Sequence, residues 1–272
     1  LKPYLECESA PINMYIYTLL IHRAYLSHNY KDVIKCCKEI IGFLEVRGIE
    51  RTSPFYSNLT PVLIIQKQFN EAQTVIQKAL SQANKGSYSW SVYTYYRFVL
   101  ELHRRDYKAA HALFQTAERK RHINKAMREQ WLIVRGFVKF LMRVGRIEGS
   151  GHFKLGKFLN EVPVFTADKA GNNVNIIILQ LLHNLGRNND FLIDKKEAII
   201  KYAERYLKSG SRARMLLRLL LKIPHYNFDK ALILQKTEKL ATQLKNSDLK
   251  VDNADIEIIP YDDLWELTLE LL

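Results

Sequence analysis

A helical pattern that occurs twice, in near-identical spacing, restricts this chain more than any other feature of its sequence. From Tyr107 the chain places Ala110 three residues on, Phe114 at seven and Ala117 at ten. From Phe69 the same offsets hold Ala72, Ile76 and Ala79. Such offsets share one face of a helix, and the alanines leave space there for a second helix to approach closely. Each pattern begins at a short turn (Arg105-Asp106 or Gln68), so the unit is a leading helix, a turn and an Ala-faced partner.

The turn position recurs along the chain at Tyr30, Phe69, Tyr107, Ile147, Phe191 and Phe228, with separations of 39, 38, 40, 44 and 37 residues. A period of this size is the mark of tandem helical hairpins, each too small to bury its apolar face alone. Composition agrees: 47% of 272 residues are hydrophobic, with only 11 Gly and 7 Pro, as expected of a mostly helical globular chain. The spacing predicts helices over 14–28, 31–47, 53–68, 71–83, 87–104, 107–121, 125–144, 171–185, 192 or 194 to 207, 211–223 and 228–244. Ser53 before Pro54, Asn124 and Ser211 are the expected N-caps, and Pro61 is expected to kink its helix or limit its first turn. Residues 145–164 are glycine-interrupted and 256–259 read as extended.

The Tyr107 and Phe69 segments resemble the second helix of a tetratricopeptide (TPR) repeat, and Leu59, Thr60 and Leu63 fit the leading helix of the Phe69 unit. The resemblance covers residues 14–122. It implies an all-α, right-handed α-solenoid of about six stacked hairpins over residues 1–245, with 246–272 as an acidic C-terminal cap or tail. The repeat is longer than the usual TPR unit by about one helical turn, which preserves facing. In such arrays the leading helices line a concave groove that binds protein or peptide.

Charge then nominates the contacts. The chain carries +13, residues from Asn246 onward carry −7, and the body is left with +20. On the leading helices Arg135, Lys139 and Arg143 lie at i, i+4 and i+8, with Arg128 extending the line, and Arg214, Arg218 and Lys222 repeat the pattern. His183 and Arg187 could join from the helix between, and Tyr95 represents the tyrosine-rich helix 87–104. These nine residues are the expected partner-binding set, for an acidic protein or peptide. Two alternatives accompany this: binding of nucleic acid by the basic body, and a regulatory module whose effector domain precedes Leu1.

No enzyme is expected. The histidines are scattered, no metal-ligand or nucleophile motif occurs, and no cofactor site is expected. Gly151-His152-Phe153-Lys154-Leu155-Gly156-Lys157 fits a phosphate-loop spacing, but Phe158 stands where a magnesium-binding hydroxyl belongs and no buried strand leads into it. Apolar runs fall short of the roughly 20 residues of a membrane span, so a soluble chain is expected. Cys7, Cys36 and Cys37 suit reduced thiols in the cytoplasm better than a disulfide framework. Leu1 and the absence of a signal pattern suggest a piece of a longer protein. The acidic tail is expected either to cap the last hairpin through Leu264, Trp265, Leu267 and Leu271 or to occupy the groove.

Overall fold

The computed structural model describes residues 9–49, 52–119, 124–162, 171–250 and 256–272. Those residues form fourteen α-helices and no strand. They divide into two compact units, Leu1–Lys125 with Leu249–Ile256 and Ala126–Asp248 with Glu257–Leu272.

The first unit contains α1 (Ala10–Leu26), α2 (Tyr30–Val46), α3 (Ser53–Ile65), α4 (Phe69–Gln82), α5 (Tyr88–His103) and α6 (Tyr107–Arg119). Each helix packs on the next, and α3 also packs on α5. The small positions of the repeated pattern do what their size permits. Ala72, Ala79, Ala110 and Ala117 are buried, with Phe114 and Ile76 beside them. The second helices α2 and α4 are also tied to each other. Lys38 pairs with Glu71 at 2.6 Å and Lys78 with Glu45 at 2.7 Å, while the Tyr56 hydroxyl donates to Glu45 at 2.6 Å. Because both ion pairs are exposed, their value lies in register more than in stability.

The hairpin turns share one backbone device. His28, Lys67 and Arg105 each adopt a left-handed φ of 52–60° two residues before Tyr30, Phe69 and Tyr107. At each, the next amide reaches back five residues: Asn29 to the Ala24 carbonyl, Gln68 to Leu63 and Asp106 to Glu101. That bond closes the orphaned end of the leading helix. Asn29 and Asp106 then accept from the amides of Asp32 and Ala109, so the residue that ends one helix also caps the following one.

The second unit contains α7 (Arg128–Arg143), α8 (Leu155–Glu161), α9 (Asn172–Asn184), α10 (Asn189–Asp194), α11 (Lys196–Tyr206), α12 (Arg212–His225), α13 (Lys230–Asn246) and α14 (Tyr261–Leu269). Here α12 is the centre, touching α9, α10, α11, α13 and α14. Its apolar face (Met215, Leu216, Leu219, Leu220, Ile223) is buried, and the Ser211 hydroxyl caps its first turn by accepting from Arg214 N–H. Helix α14, in the segment 257–272, packs on α12 and α13, and Ile258, Ile259, Leu264, Trp265 and Leu267 of that segment are buried.

Several local expectations need correcting. The α7 helix begins at Arg128 after one 3₁₀ turn over Lys125–Met127, with Met127 rather than Asn124 at the N-cap. The helix expected from 192 or 194 to 207 is divided at Lys195 into α10 and α11. Ser53 opens α3 as a helical residue behind Thr52, and α3 continues through Pro61 to Ile65.

Candidate functional site

The two basic lines predicted from spacing have different local environments, although both lie in the second unit. On α7, Arg135 is exposed, and Lys139 and Arg143 below it are engaged with the chain itself. Lys139 Nζ donates to the Ser150 carbonyl at 3.0 Å. Arg143 donates to the Leu182 carbonyl at 2.8 Å and to that of Leu185, so its guanidinium closes the C-terminal end of α9 where carbonyls are orphaned. Burial, together with the neighbouring Arg187, holds the Arg143 pKa below its ordinary value. Arg187 itself donates to the Gly151 carbonyl at 3.4 Å.

This arrangement also accounts for the phosphate-loop-like stretch. A Cβ at Gly151 would sit 2.7 Å from the Arg143 Cα, so glycine is required there for a close backbone approach. Gly156 lies inside α8 with open space around it. Helix α8 follows a non-helical stretch rather than a strand, so the geometry that lets such a loop cradle phosphates is missing.

His183 is placed differently from expectation: it is 3% exposed and presents nothing to a partner. Its Nε2 meets the Gly136 carbonyl at 3.0 Å, and its ring lies 4.3 Å from the Phe153 ring and edge-on to Phe140. Burial pushes its pKa down to about 4, with Arg143 and Arg187 adding to the shift, against the pull of the Gly136 bond. The ring is therefore neutral at pH 7. With Nε2–H donating to Gly136, Nδ1 is a buried acceptor without a hydrogen-bond partner. Tyr95 is likewise buried, with its ring 5.8 Å from that of Tyr96, and belongs to the core of the first unit. The solvent-facing tyrosine of α5 is Tyr88.

The α12 line is different. Arg218 is exposed and Arg214 and Lys222 are half-buried, and among the described residues none of the three has an ion pair or a side-chain hydrogen bond. His225 prolongs the same face by a further turn. Two residues before Arg214 stands a cation in the opposite situation. Arg212 is buried, and its Nε donates to Glu257 Oε1 at 2.7 Å and its Nη2 to Glu257 Oε2 at 3.1 Å and to Asp262. Its Nη1 reaches the Leu244 carbonyl at 2.6 Å and that of Ser247 at 2.9 Å. Burial holds the Glu257 carboxyl above the usual carboxylate range, although Arg212 pulls it down.

Four carboxylates of the C-terminal segment have cationic partners. Glu257 and Asp262 engage Arg212, Glu266 engages Lys245 at 3.6 Å, and Glu270 engages Arg146. None of these reaches Arg214, Arg218 or Lys222. Of the nine predicted residues, Arg214, Arg218 and Lys222 form one row without an ion pair among the described residues. The structure places Lys139, Arg143 and Arg187 around the loop at Ser150–Gly151 and buries His183 and Tyr95. Arg212 was missed by sequence reasoning, because its partners lie 45 and 50 residues away.

Among the described residues there is no group of His, Cys, Asp or Glu placed to hold a metal ion, and no helix long and apolar enough to cross a membrane. The basic turn at 119–122 lies largely outside the described residues. No protein-family model matches the chain, and neither a curated protein nor a solved structure matches it significantly.

Proposed function

We propose that the chain is a TPR-like solenoid of helical hairpins that binds an acidic protein segment, with the Arg214–Arg218–Lys222 face of α12 as its principal contact. Support for the architecture comes from consecutive helix packing and from the turn device shared by three hairpins. The observation that carries the binding role is the contrast on one helix. Arg212 is paired with the chain's own carboxylates, whereas the next three cations on the helix have none among the described residues. Cations spaced at one turn suit a row of carboxylates on an extended or helical partner, with electrostatics setting specificity and on-rate. Free Cys36 and Cys37 fit a reducing, cytoplasmic setting.

The test is fluorescence anisotropy with a Glu-rich amphipathic peptide, against wild type and R214E/R218E/K222E, across a salt series. At least a tenfold loss, or about 1.4 kcal/mol, is expected, with wild-type binding weakening as salt rises. Unchanged affinity removes the α12 face from the function. Single-stranded RNA run in parallel distinguishes the other basic-surface partner: salt-sensitive RNA binding without peptide binding overturns the proposal.

A further inference from the structure

Aligned at their N-caps, α2 and α13 carry the same pattern. Asn29 accepts from the Asp32 amide, and Asp229 from that of Leu232. From there Val33, Cys37 and Leu44 on α2 and Ile233, Thr237 and Leu244 on α13 stand at the same steps, and all six are buried. The match fails on one flank. Where α2 has Ile34 half-buried and Ile41 buried, α13 has Leu234 exposed by 46% and Ala241 half-buried. These two residues, with Trp265 and Leu269 of α14, line a cleft of about 490 Å³. On α13 the lining runs from Leu234 to Lys245, about 16 Å or three helical turns. A groove between two helix faces is a shape that seats a third helix.

The flank that stands open on α13 is the one that holds a helix on α2. Ile34, Lys38, Ile41 and Glu45 follow one another at steps of four, three and four, so they form one line along α2. The two charges of that line hold α4, through Lys38–Glu71 at 2.6 Å and Glu45–Lys78 at 2.7 Å. The same line on α13 reads Leu234, Glu238, Ala241 and Lys245, and all four residues line the cleft. Its charges are those of α2 with the signs exchanged. Glu238 has no ion pair among the described residues. Lys245 meets Glu266 at 3.6 Å, with both side chains largely in solvent, a pair of little strength.

We infer that the α13–α14 cleft seats an amphipathic helix of a partner protein, laid beside α13 as α4 is laid beside α2. In α4 the residues that meet α2 are the third, Glu71, and the tenth, Lys78, while Ala72, Ile76 and Ala79 are buried. The partner helix reverses both charges. A cation at its third position faces Glu238, a carboxylate at its tenth faces Lys245, and an apolar stripe with small residues covers Trp265 and Leu269. None of the chain's own described helices carries a cation at its third and a carboxylate at its tenth position, which speaks against a second copy as the occupant. A seat for one helix is a small interface, so the association is transient. This inference is independent of what the α12 cations bind.

The experiment is fluorescence anisotropy of two labelled, helix-stapled peptides against the full chain. One has the sequence of residues 68–84, and the other the same sequence with E71K/K78E. The exchanged peptide should bind with a Kd of about 10–500 µM. The unaltered one brings Glu to Glu238 and Lys to Lys245, so it should bind at least tenfold more weakly, or by about 1.4 kcal/mol. The protein variant E238K/K245E, changed at two exposed positions, should invert that preference. Equal affinities, no binding of either peptide, or a preference that E238K/K245E leaves in place overturns the inference. R214E/R218E/K222E should leave the affinity unchanged; a parallel loss assigns the peptide to α12 and overturns it as well. Sedimentation velocity tests the other occupant: a wild type that dimerises while A241R stays monomeric gives the cleft to a second copy and removes the partner helix.

Discussion

Replacing Arg212 by Met is the sharpest perturbation of the second unit. The substitution keeps a long apolar stem but removes a guanidinium that donates to two carboxylates and two carbonyls. Glu257 would keep the Tyr261 amide, at 2.7 Å, and lose both of its bonds to the guanidinium. Removing one member of a buried pair leaves an uncompensated charge and costs about 3–5 kcal/mol. That is a large share of the roughly 5–15 kcal/mol that holds a domain together. The double variant R212M/E257L removes the stranded carboxylate as well and should regain most of the loss. Urea unfolding of wild type, both single variants and the double variant yields the coupling, and hydrogen exchange of α14 localises it. In R212M alone, Glu257 without its cation binds a proton more tightly in the folded than in the unfolded state. Its deficit should therefore shrink as pH falls below neutrality. A cost under 1 kcal/mol for R212M, or a double variant no more stable than the single, would refute the account of Arg212 as the clamp on segment 256–272.

Burial holds His183 neutral, with a folded pKa of about 4 against an ordinary value of 6.5. Between those values the unfolded chain binds a proton that the folded chain does not, so stability falls as pH drops from 6.5 to 4, by up to about 3 kcal/mol. Urea midpoints across that window should slope for wild type and lie flatter for H183F; equal slopes would place the titration elsewhere. Lys67 and Arg105 hold left-handed backbone that glycine adopts without a Cβ penalty, so K67G and R105G should each raise stability by about 0.5–1 kcal/mol. Calorimetric melting temperatures that fall for both would contradict the turn geometry.

What could be read from the sequence was whatever depends on neighbours a few residues away. The Ala72/Ala79 and Ala110/Ala117 spacings foretold buried small positions, and Ser211 declared itself as a cap. The hairpin stops were only half legible. His28, Lys67 and Arg105 take a conformation that glycine usually marks, so the most regular structural feature of the repeat has no consensus residue. Equal spacing along a helix says which side chains share a face but not what lies opposite. That is why Arg143 and Arg214 looked alike, although one closes α9 and the other has no side-chain partner among the described residues. His183 was misplaced for a related reason: the aromatic pocket that buries it comes from Phe140 and Phe153, 43 and 30 residues earlier. The Arg212 clamp depends on pairings no periodicity encodes.

The pattern of helix contacts also bears on how quickly each unit can form. In the first unit every principal contact joins helices adjacent or next-adjacent in the chain, from α1 on α2 to α5 on α6. Such low contact order favours folding in microseconds to milliseconds, with helices added one at a time and α1, bare on one side, the first to fray. The second unit cannot finish that way. Its central helix α12 awaits Glu257 and Asp262, 45 and 50 residues beyond Arg212, so that guanidinium must stay wet until the later segment has been made. During synthesis the helices α1 to α6 can pack on one another while α12 is still waiting for its last partner.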